Sequence, residues 1–253
     1  MSLTDHAEES ILITGASGGI GQALVTTFGN AGYHVIATGL SAPPAGLPYA
    51  DFIPADLQRT VMDEAYAANV FTAIRASLAG KPLKALINNA AVQILDDAAY
   101  LSRAAWQETL NVNLLAPFFW TQALLEDLAA AQGCVLNISS IHARLTKARF
   151  AAYATSKAAL SGLTRSLAIE FGGRVRVNAI EPAAIDTPML RAGFSGNDDG
   201  FAQLEQYHPS KCIGTPEKIG ELAKLLVEQN SMFLNGAVLP YDGGISACLH
   251  DPN

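Results

Sequence analysis

Positive charge is scarce in this sequence. Its 253 residues include 16 lysines and arginines against 23 aspartates and glutamates, a net charge of -7, and no lysine or arginine precedes Arg59. An acidic surface repels the phosphates of nucleic acids and of anionic membranes. We therefore expect no nucleic acid and no membrane as partners, and we expect a small-molecule ligand instead.

Cysteine is scarce as well. Cys134, Cys212 and Cys248 are far apart and have neither metal-ligand nor redox spacing. His208, like three of the other histidines, has no metal-binding neighbour at a recognised spacing. The sequence therefore indicates no metal site, and free cysteines are typical of a reducing compartment such as the cytoplasm.

Long apolar runs are absent too. No run approaches the roughly 20 residues that span a bilayer, and the first ten residues are polar and acidic where a secretory signal is basic and then apolar. Half of the residues are hydrophobic and 15% are charged, which is typical of a packed globular protein. We expect a single cytoplasmic domain over residues 1–253.

Short apolar runs alternate with segments of helical periodicity along the chain. The predicted strands are 11–14, 33–38, 52–54, 83–88, 134–139, 175–180 and 237–239. The predicted helices are 21–30, 61–78, 102–130, 152–171 and 216–229. This alternation predicts an α/β fold with a Rossmann-type, doubly wound, seven-stranded parallel sheet that has helices on both faces.

Local sequence composition predicts two loops and the start of one helix. Residues 39–50 are rich in proline and glycine and predict a loop. Residues about 191–210 form a long connection after the sixth strand, and such connections are often lids over a site, so we expect a substrate-side lid loop. Thr215 before Pro216 predicts the start of the last helix.

Tyr153 and Lys157 lie four residues apart and therefore share one face of a predicted helix. A free phenol has a pKa of about 10, and a neighbouring cation lowers it by favouring the phenolate. The pair is therefore a candidate proton-transfer device. Surface packing is the alternative for a tyrosine and a lysine at this spacing.

A glycine cluster, Thr-Gly-Ala-Ser-Gly-Gly-Ile-Gly over residues 14–21, follows the first predicted strand and opens the first helix. Glycines allow a pyrophosphate to approach the backbone closely, and a helix N-terminus offers free N–H groups to an anion. A tight turn alone would also use glycines. The position between strand and helix favours a dinucleotide site.

Taken together, these motifs resemble the short-chain dehydrogenase/reductase family over nearly the whole chain. The matching motifs are Thr-Gly-x-x-x-Gly-x-Gly, Asn88-Asn89-Ala90, Asn113, Ser140, Tyr153-x-x-x-Lys157, Asp56 after the third strand and Pro182 through Thr187 after the sixth. Ala91 and Ala183 depart from the pattern because the family usually has glycine there. Either methyl group could narrow the nicotinamide side of the site.

The resemblance implies a role for each matching residue. Tyr153 would exchange a proton with the substrate oxygen, and Ser140 would hydrogen-bond that oxygen. Lys157 would lower the tyrosine pKa and hold the nicotinamide ribose, and Asn113 would hold a water that links Lys157 to solvent. The implied cofactor-binding residues are Gly15, Ser17, Gly19, Ile20, Gly21, Asp56, Leu57, Asn89, Ala90, Tyr153, Lys157, Pro182, Ile185 and Thr187.

The absence of lysine and arginine from the first 58 residues affects which dinucleotide we expect. Because no lysine or arginine precedes Arg59, the 2'-phosphate of NADP would find no ion pair in the glycine loop, the first helix or the second strand. The acid that NAD enzymes of the family place after strand two is missing as well, since Gly39 and Leu40 stand there. An unpaired dianion costs more than one lost ribose hydrogen bond. We therefore predict NAD over NADP.

The predicted reaction is hydride transfer between nicotinamide and the carbon of a secondary alcohol or ketone. Gln93, Ser140 and His142 resemble pocket residues of 3-hydroxybutyrate dehydrogenases, but Phe150 and Ala184 replace that subfamily's lysine and tryptophan. Three cations, Arg144, Lys147 and Arg149, could meet an anionic substrate or an acyl carrier, or could lie on a solvated loop.

Three further expectations follow from the resemblance. An NADPH-dependent 3-oxoacyl reductase is the alternative enzyme. A non-catalytic NAD-sensing regulator is a less favoured alternative, because a binder has no need of the full Asn, Ser, Tyr and Lys set. Family members commonly form tetramers, so a homo-oligomer, either tetramer or dimer, is expected.

Overall fold

A seven-stranded parallel sheet forms the centre of the protein, as the sequence predicts. The computed structural model describes residues 6–249, and the strand order is β3-β2-β1-β4-β5-β6-β7. The strands are β1 (Ser10–Thr14), β2 (His34–Gly39), β3 (Asp51–Pro54), β4 (Leu83–Asn88), β5 (Cys134–Ile138), β6 (Arg176–Pro182) and β7 (Val238–Tyr241). Each begins and ends within two residues of its predicted bounds.

Ten α-helices occur in the described part of the chain. They are α1 (Gly19–Asn30), α2 (Leu57–Met62), α3 (Glu64–Leu78), α4 (Arg103–Leu110), α5 (Ala116–Ala123), α6 (Leu125–Ala130), α7 (Ala151–Glu170), α8 (Pro188–Ala192), α9 (Asp198–Tyr207) and α10 (Pro216–Glu228). Single 3-10 turns follow at Ile141–Ala143 and Ile245–Ala247, and a π-helical turn covers Asn111–Leu115.

The two faces of the sheet bury separate apolar cores. Side chains of a strand alternate between faces, so Ile11 and Ile13 of β1 pack with α1 and α10, whereas Leu12 packs with α3 and with Trp120. All three strand residues are fully buried. Because both faces are covered, the parallel strands are continuous apolar runs, and this is why the sequence revealed them.

The predicted helix over 102–130 is not one helix. It divides into α4, the π-helical turn, α5 and α6, with a break at Leu124. Pro117 explains the irregularity because it has no N–H to donate to the carbonyl of Asn113, four residues earlier. The predicted helix over 61–78 likewise divides into α2 and α3 at Asp63, whose side chain caps α3 by accepting from the Tyr66 N–H at 2.9 Å.

The lid segment contains more structure than the predicted loop. Residues 191–210 include the end of α8 and all of α9. Asn197 caps α9 by accepting from the Gly200 N–H at 2.9 Å, and Asp198 and Asp199 occupy the first turn. The last helix begins at Pro216 as predicted, although Thr215 makes no side-chain capping hydrogen bond.

Candidate active site

A cavity of about 900 Å³ lies at the carboxyl ends of the strands. Open parallel sheets bind ligands at this edge. The predicted site residues that line it are Gly15, Ser17, Gly19, Ile20, Gly21, Asp56, Leu57, Asn89, Ala90, Gln93, Ser140, His142, Tyr153, Lys157, Pro182, Ile185 and Thr187. Ala91 and Ala183 line it as well, and neither has a positive φ, so the two methyl groups impose no backbone strain. Asn113 is not part of the lining.

The glycine loop is closely packed against its surroundings. Gly15 has φ +65, and a Cβ there would lie 2.7 Å from the Ala90 Cα. A Cβ on Gly19 would lie 2.9 Å from the Thr187 Cγ2 atom. Helix α1 begins without a side-chain cap and without an acid in its first turn. Its N-terminal N–H groups therefore remain available to an anionic group in the cavity.

The segment after β4 is held against the glycine loop by hydrogen bonds. Thr14 Oγ1 accepts from the backbone N–H groups of Asn89 at 3.0 Å and Ala90 at 3.1 Å. The Asn89 amide donates to the carbonyls of Thr14 at 2.9 Å and Gly15 at 3.0 Å. The side chain of Asn89 therefore holds the glycine loop in position, and Asn89 and Ala90 line the cavity beside it.

Ser140, Tyr153 and Lys157 converge on one wall of the cavity. Ser140 follows β5 and lines the cavity together with Tyr153 and Lys157. Lys157 Nζ lies 5.8 Å from the centroid of the Tyr153 ring and donates to the Ile138 carbonyl at 2.8 Å. Tyr153 and Lys157 are 9% and 2% exposed, so both polar groups are largely shielded from water.

Burial dominates the acid–base properties of this pair. It raises the pKa of Tyr153, and the hydrogen bond to Ser140 partly opposes that rise. It lowers the pKa of Lys157 to about 8. The pKa of Tyr153 is thus raised overall, whereas the spacing of Tyr153 and Lys157 predicts a lowered value, because desolvation of the phenolate is the largest contribution.

Asn113 lies in the π-helical turn and is fully buried. Its Oδ1 accepts from the Val92 N–H at 2.9 Å, and its Nδ2 donates to the Val92 carbonyl at 2.9 Å and to Ser156 Oγ at 3.0 Å. The side chain thus fastens the loop after β4 to α7. The structure thus gives the Asn113 side chain a packing role, and the water that the resemblance assigns to this residue remains a prediction.

His142 belongs to an aromatic cluster beside the phenol. Its ring stacks on Phe150 with centroids 4.3 Å apart and meets Tyr153 edge to face at 5.7 Å. Nδ1 lies 3.0 Å from Thr146 Oγ1. Burial, with a further contribution from the charge of Lys147, lowers the pKa of His142 to about 4. The imidazole is therefore neutral near pH 7.

The three cations between the predicted site residues, Arg144, Lys147 and Arg149, lie in different environments. Arg144 Nε donates to Glu181 Oε2 at 2.7 Å, and Glu181 is only 1% exposed. Lys147 lines the cavity with its Nζ 4.9 Å from the Phe150 ring centroid. Arg149 is exposed, does not line the cavity and has φ 73. Only Lys147 is therefore placed to meet a ligand in the cavity.

The cavity wall near the end of β2 carries no cation. Leu40 is 81% exposed there, and Ser41 Oγ lies 3.4 Å from Ser17 Oγ. Asp56 caps α2 by accepting from the Arg59 N–H at 3.2 Å. The Arg59 guanidinium pairs with Asp63 and does not line the cavity. Among the described residues, Lys147 and Lys157 are the lysines and arginines of the lining.

Sequence reasoning missed two features around the site. Glu181 supports the cavity wall next to Ser140, since its Oε1 accepts from Ser161 Oγ at 2.8 Å and Ser161 Oγ lies 2.8 Å from Ser139 Oγ. His208 lines the cavity from the end of α9, although no sequence motif assigns it a role. No sequence pattern joins residues so far apart in the chain.

The family to which the chain belongs follows from sequence comparison. A family profile described as enoyl-(acyl carrier protein) reductase matches residues 15–246. Protein FixR of Bradyrhizobium diazoefficiens is 34% identical over 251 residues, which cover 95% of this chain and 88% of FixR. The chain belongs to the short-chain dehydrogenase/reductase family. The 3-oxoacyl-(acyl-carrier-protein) reductase FabG of Pseudomonas aeruginosa is 32% identical over 242 residues, which cover 92% of this chain and 96% of FabG.

Solved structures agree with this assignment. A 4-hydroxyisoleucine dehydrogenase mutant in complex with NADH and succinate has a TM-score of 0.84, 29% identity and coverage of 94% of this chain and 99% of that one. A Beutenbergia cavernae protein described as an NAD(P)-dependent gluconate 5-dehydrogenase, with bound NADP, has a TM-score of 0.84, 32% identity and coverage of 95% and 97%. The protein is an NAD(P)-dependent short-chain dehydrogenase/reductase.

Within residues 6–249, no helix of this short-chain dehydrogenase/reductase combines the length and the apolar character that crossing a bilayer requires.

Proposed function

We propose that this protein transfers hydride between NAD and the carbon of a secondary alcohol or ketone, with Tyr153 as the catalytic acid or base. Ser140 hydrogen-bonds the substrate oxygen and orients the phenol. Lys157 holds the nicotinamide ribose, and Asn113 holds a water that links Lys157 to solvent as an exit for the proton. A bound nicotinamide supplies or accepts the hydride.

One observation carries this proposal. Ser140, Tyr153 and Lys157 line the same cavity as the glycine loop. Lys157 uses one N–H on the Ile138 carbonyl, and an ammonium has two more to donate to ribose hydroxyls. The proposed proton donor Tyr153, the hydroxyl of Ser140 and the ribose-binding cation Lys157 thus lie on the same cavity wall.

The residues around the cavity fit a dinucleotide. The free N–H groups at the start of α1 suit the pyrophosphate. The loop residues that would border it are Gly15, Ser17, Gly19, Ile20 and Gly21. A Cβ on Gly15 would clash with Ala90, and a Cβ on Gly19 would clash with Thr187. Asp56 and Leu57 line the cavity and would border the adenine, and Asn89 and Ala90 lie beside the glycine loop. Pro182, Ile185 and Thr187 would border the nicotinamide.

The variant Tyr153→Phe tests the catalytic assignment. It removes the acid–base group and keeps the ring packing against His142. We expect turnover to fall by about 10²-fold or more, because general acid–base catalysis typically contributes about 10²- to 10⁴-fold, while NAD binding measured by calorimetry is retained. Turnover near that of the wild type would contradict the role of Tyr153.

We propose NAD as the preferred dinucleotide. Support comes from the exposed, uncharged Leu40 at the end of β2 and from the engagement of Arg59 with Asp63. A 2'-phosphate would therefore lack a cationic partner at this wall. Relatives provide examples of both dinucleotides, NADH in one solved structure and NADP in another. A tenfold or greater preference for NADP in kcat/KM would overturn the proposal.

The alternative activity is an NADPH-dependent 3-oxoacyl reductase. It is favoured by the likeness to FabG and by Lys147, which lines the cavity beside Phe150 and could meet an anionic group. Reduction of acetoacetyl thioesters with NADPH, at a kcat/KM above that of any simple ketone with NADH, would favour this alternative. Gln93 and His142 remain the proposed substrate-contacting residues in either case.

We also propose a cytoplasmic homo-oligomer, a tetramer or a dimer. Large apolar side chains lie exposed on two helices, with Phe119 of α5 38% exposed and Ile169 of α7 83% exposed. Light scattering after size-exclusion chromatography should therefore give a mass above the 26.6 kDa of one chain. A mass equal to one chain at micromolar concentration would contradict the proposal.

A further inference from the structure

Glu181 is a buried carboxylate without a role in the chemistry described above. It lies at the end of β6 beside Pro182, is 1% exposed and does not line the active-site cavity. A charge is costly to bury unless it is paired and hydrogen-bonded. The partners of its two oxygens therefore indicate what this carboxylate holds in place.

One oxygen is connected to the residue that precedes Ser140. Oε1 accepts from Ser161 Oγ of α7 at 2.8 Å, and Ser161 Oγ lies 2.8 Å from Ser139 Oγ. Because a carboxylate can only accept, Ser161 donates its hydrogen to Glu181, and the hydrogen between the two serines comes from Ser139. Ser139 and Ser161 are each 4% exposed, so these contacts are shielded from water.

The other oxygen is connected to the chain that follows Ser140. Oε2 accepts from Arg144 Nε at 2.7 Å. Arg144 ends the 3-10 turn Ile141–Ala143, and its backbone N–H donates to the Ile141 carbonyl at 3.0 Å. The carboxylate of Glu181 thus holds the chain on both sides of Ser140.

The same contacts reach Lys157. Ser139 Oγ donates to the Lys157 carbonyl at 3.1 Å, and Lys157 Nζ donates to the Ile138 carbonyl at 2.8 Å. The single hydroxyl hydrogen of Ser139 is therefore shared between Lys157 and Ser161. The segment that leads into Ser140 is thus bound both to α7 and, through Ser161, to Glu181.

Net stability is a poor explanation for such a carboxylate. A buried ion pair contributes little compared with apolar groups of the same volume, because desolvation offsets the attraction between the charges. Hydrogen bonds to a charged group are short and directional, however, and they are stronger where water is excluded. Orientation of the chain around Ser140 is therefore the contribution that this geometry indicates.

We propose that Glu181 is a positioning residue for Ser140. Acting through Ser161 and Ser139 on one side and through Arg144 on the other, it holds the Ser140 hydroxyl where that hydroxyl meets the substrate oxygen. Glu181 itself contacts neither the substrate nor the dinucleotide. This inference rests on the proposed oxidoreductase function and adds a residue to the same site.

Two variants of Glu181 and one control test the proposal. Glu181→Ala removes both contacts, whereas Glu181→Gln keeps the shape and can still accept from Arg144. Leu226→Ala is the control, because Leu226 is a buried residue of α10 that does not line the cavity, and its truncation destabilises the core without touching Ser140. The probes are butan-2-ol, 3-hydroxybutyrate and threitol with NAD, assayed below the melting temperature of every variant.

We expect Glu181→Ala to lower kcat by about tenfold or more, because a misplacement of about 1 Å can cost roughly 10²-fold. The KM for NAD should change less than about threefold, since the glycine loop is outside these contacts. Glu181→Gln should recover part of kcat, and Leu226→Ala should keep it. A kcat near that of the wild type in Glu181→Ala, or an equal loss in Leu226→Ala at a similar fall in melting temperature, would overturn the proposal.

Variants of Ser161 test the connection itself and leave the pair of Arg144 and Glu181 intact. Ser161→Ala should lower kcat by about fivefold, and Ser161→Thr, which keeps the hydroxyl, should recover it. The double variant Glu181→Ala/Ser161→Ala should lose about as much as Glu181→Ala alone, because both changes act through one contact. Losses that multiply, or an unchanged kcat in Ser161→Ala, would contradict the connection.

Failure of this inference is distinguishable from failure of the proposed function. If the wild type turns over none of the three alcohols or the matching ketones with NAD or NADP, the proposed reaction is wrong. The position of Ser140 is then read from crystal structures of the wild type and Glu181→Ala with bound NAD. A shift of Ser140 Oγ by about 1 Å or more relative to Tyr153 would support the positioning role, and superimposable side chains would refute it.

Discussion

Lys157 Nζ lies 5.8 Å from the ring centroid of Tyr153, and its hydrogen bond goes to the Ile138 carbonyl at the end of β5. The ammonium is thus anchored to the sheet and not to the phenol. Because burial raises the pKa of Tyr153 and lowers that of Lys157, desolvation favours the neutral form of both groups. A positive charge brought by bound oxidised nicotinamide would favour the phenolate.

The lowered pKa of Lys157 makes stability depend on pH in a defined window. Below pH 8 both folded and unfolded chains hold the proton, and the folded state carries the full desolvation cost of roughly 3 kcal/mol. Between pH 8 and 10.5 the folded state has lost the proton and the unfolded state keeps it, so this cost disappears as pH rises. We expect the free energy of unfolding of the wild type to rise relative to Lys157→Met across this window.

Urea denaturation of both proteins at a series of pH values measures this difference, and other titrating groups cancel in the comparison. Below pH 8 the difference should be constant. A difference that stays constant from pH 7 to about 10.5 would show that Lys157 keeps its ordinary pKa in the folded protein.

Lys147 controls the charge state of His142 in part. Burial is the larger cause of the low pKa of His142, about 4, and the charge of Lys147 is the second. We expect Lys147→Met to raise this pKa, but to leave it below the ordinary value of 6.5 because the imidazole stays buried. An NMR titration of the His142 ring protons measures the change.

Two further variants are controls for this prediction. Lys147→Arg keeps the charge and should leave the pKa of His142 low. Lys218→Met removes a cation that pairs with Glu221 on the exposed face of α10 and should have no effect on His142. If the pKa of His142 stays near 4 in Lys147→Met, burial alone determines it.

Leu40 places no charged group at the end of β2, where the proposed preference for NAD over NADP can be tested. A guanidinium at this exposed position would provide the charge-assisted hydrogen bonds that a 2'-phosphate needs, worth about 1.5–3 kcal/mol. We therefore expect Leu40→Arg to raise the ratio of kcat/KM with NADP to that with NAD by about tenfold or more.

Met62→Arg is the matched control, since Met62 is 67% exposed and does not line the cavity. It adds the same charge to the protein without adding it at the site. If both variants raise the NADP ratio equally, the effect comes from net charge and not from contact with the 2'-phosphate.

Arg144 and Glu181 form an ion pair whose members differ in exposure. The Glu181 side chain is 1% exposed and that of Arg144 is 46% exposed. Arg144→Met leaves the buried carboxylate without its cation, and we expect a loss of about 2 kcal/mol in the free energy of unfolding, less than for a fully buried pair because Arg144 is half exposed. Urea denaturation measures the loss.

Two comparisons test the cause of this loss. Adding Glu181→Gln to Arg144→Met removes the unpaired charge and should recover part of the stability. Arg174→Met breaks an exposed pair with Glu126 and should cost less than about 1 kcal/mol. Equal losses for Arg144→Met and Arg174→Met would contradict the importance of burial.

The strands could be predicted from the sequence because parallel strands covered on both faces are continuous apolar runs. The helices were less regular than their periodicity suggested. Pro117 and Asp63 interrupt two predicted helices, and both signals were present in the sequence. Helix α9 was missed although Asn197 followed by Asp198 and Asp199 is a typical helix start.

The site was predictable where motifs fix local geometry and not where side chains meet across the fold. Ser140, Tyr153 and Lys157 lie together because strand β5 and helix α7 adjoin at the sheet edge. Arg144 pairs with Glu181, which is 37 positions later in the sequence, and no local sequence pattern predicts such a pair. The pKa values of Tyr153 and Lys157 depend on burial depth, which sequence spacing does not encode.

Parallel pairing has a consequence for how this chain is synthesised. β1 pairs with β2 on one side and with β4 on the other, and no two neighbouring strands form a hairpin. A nascent chain that ends before Leu83 therefore leaves one edge of β1 open to other polypeptides. We expect such fragments to require chaperones, and the full chain to fold more slowly than a helical bundle.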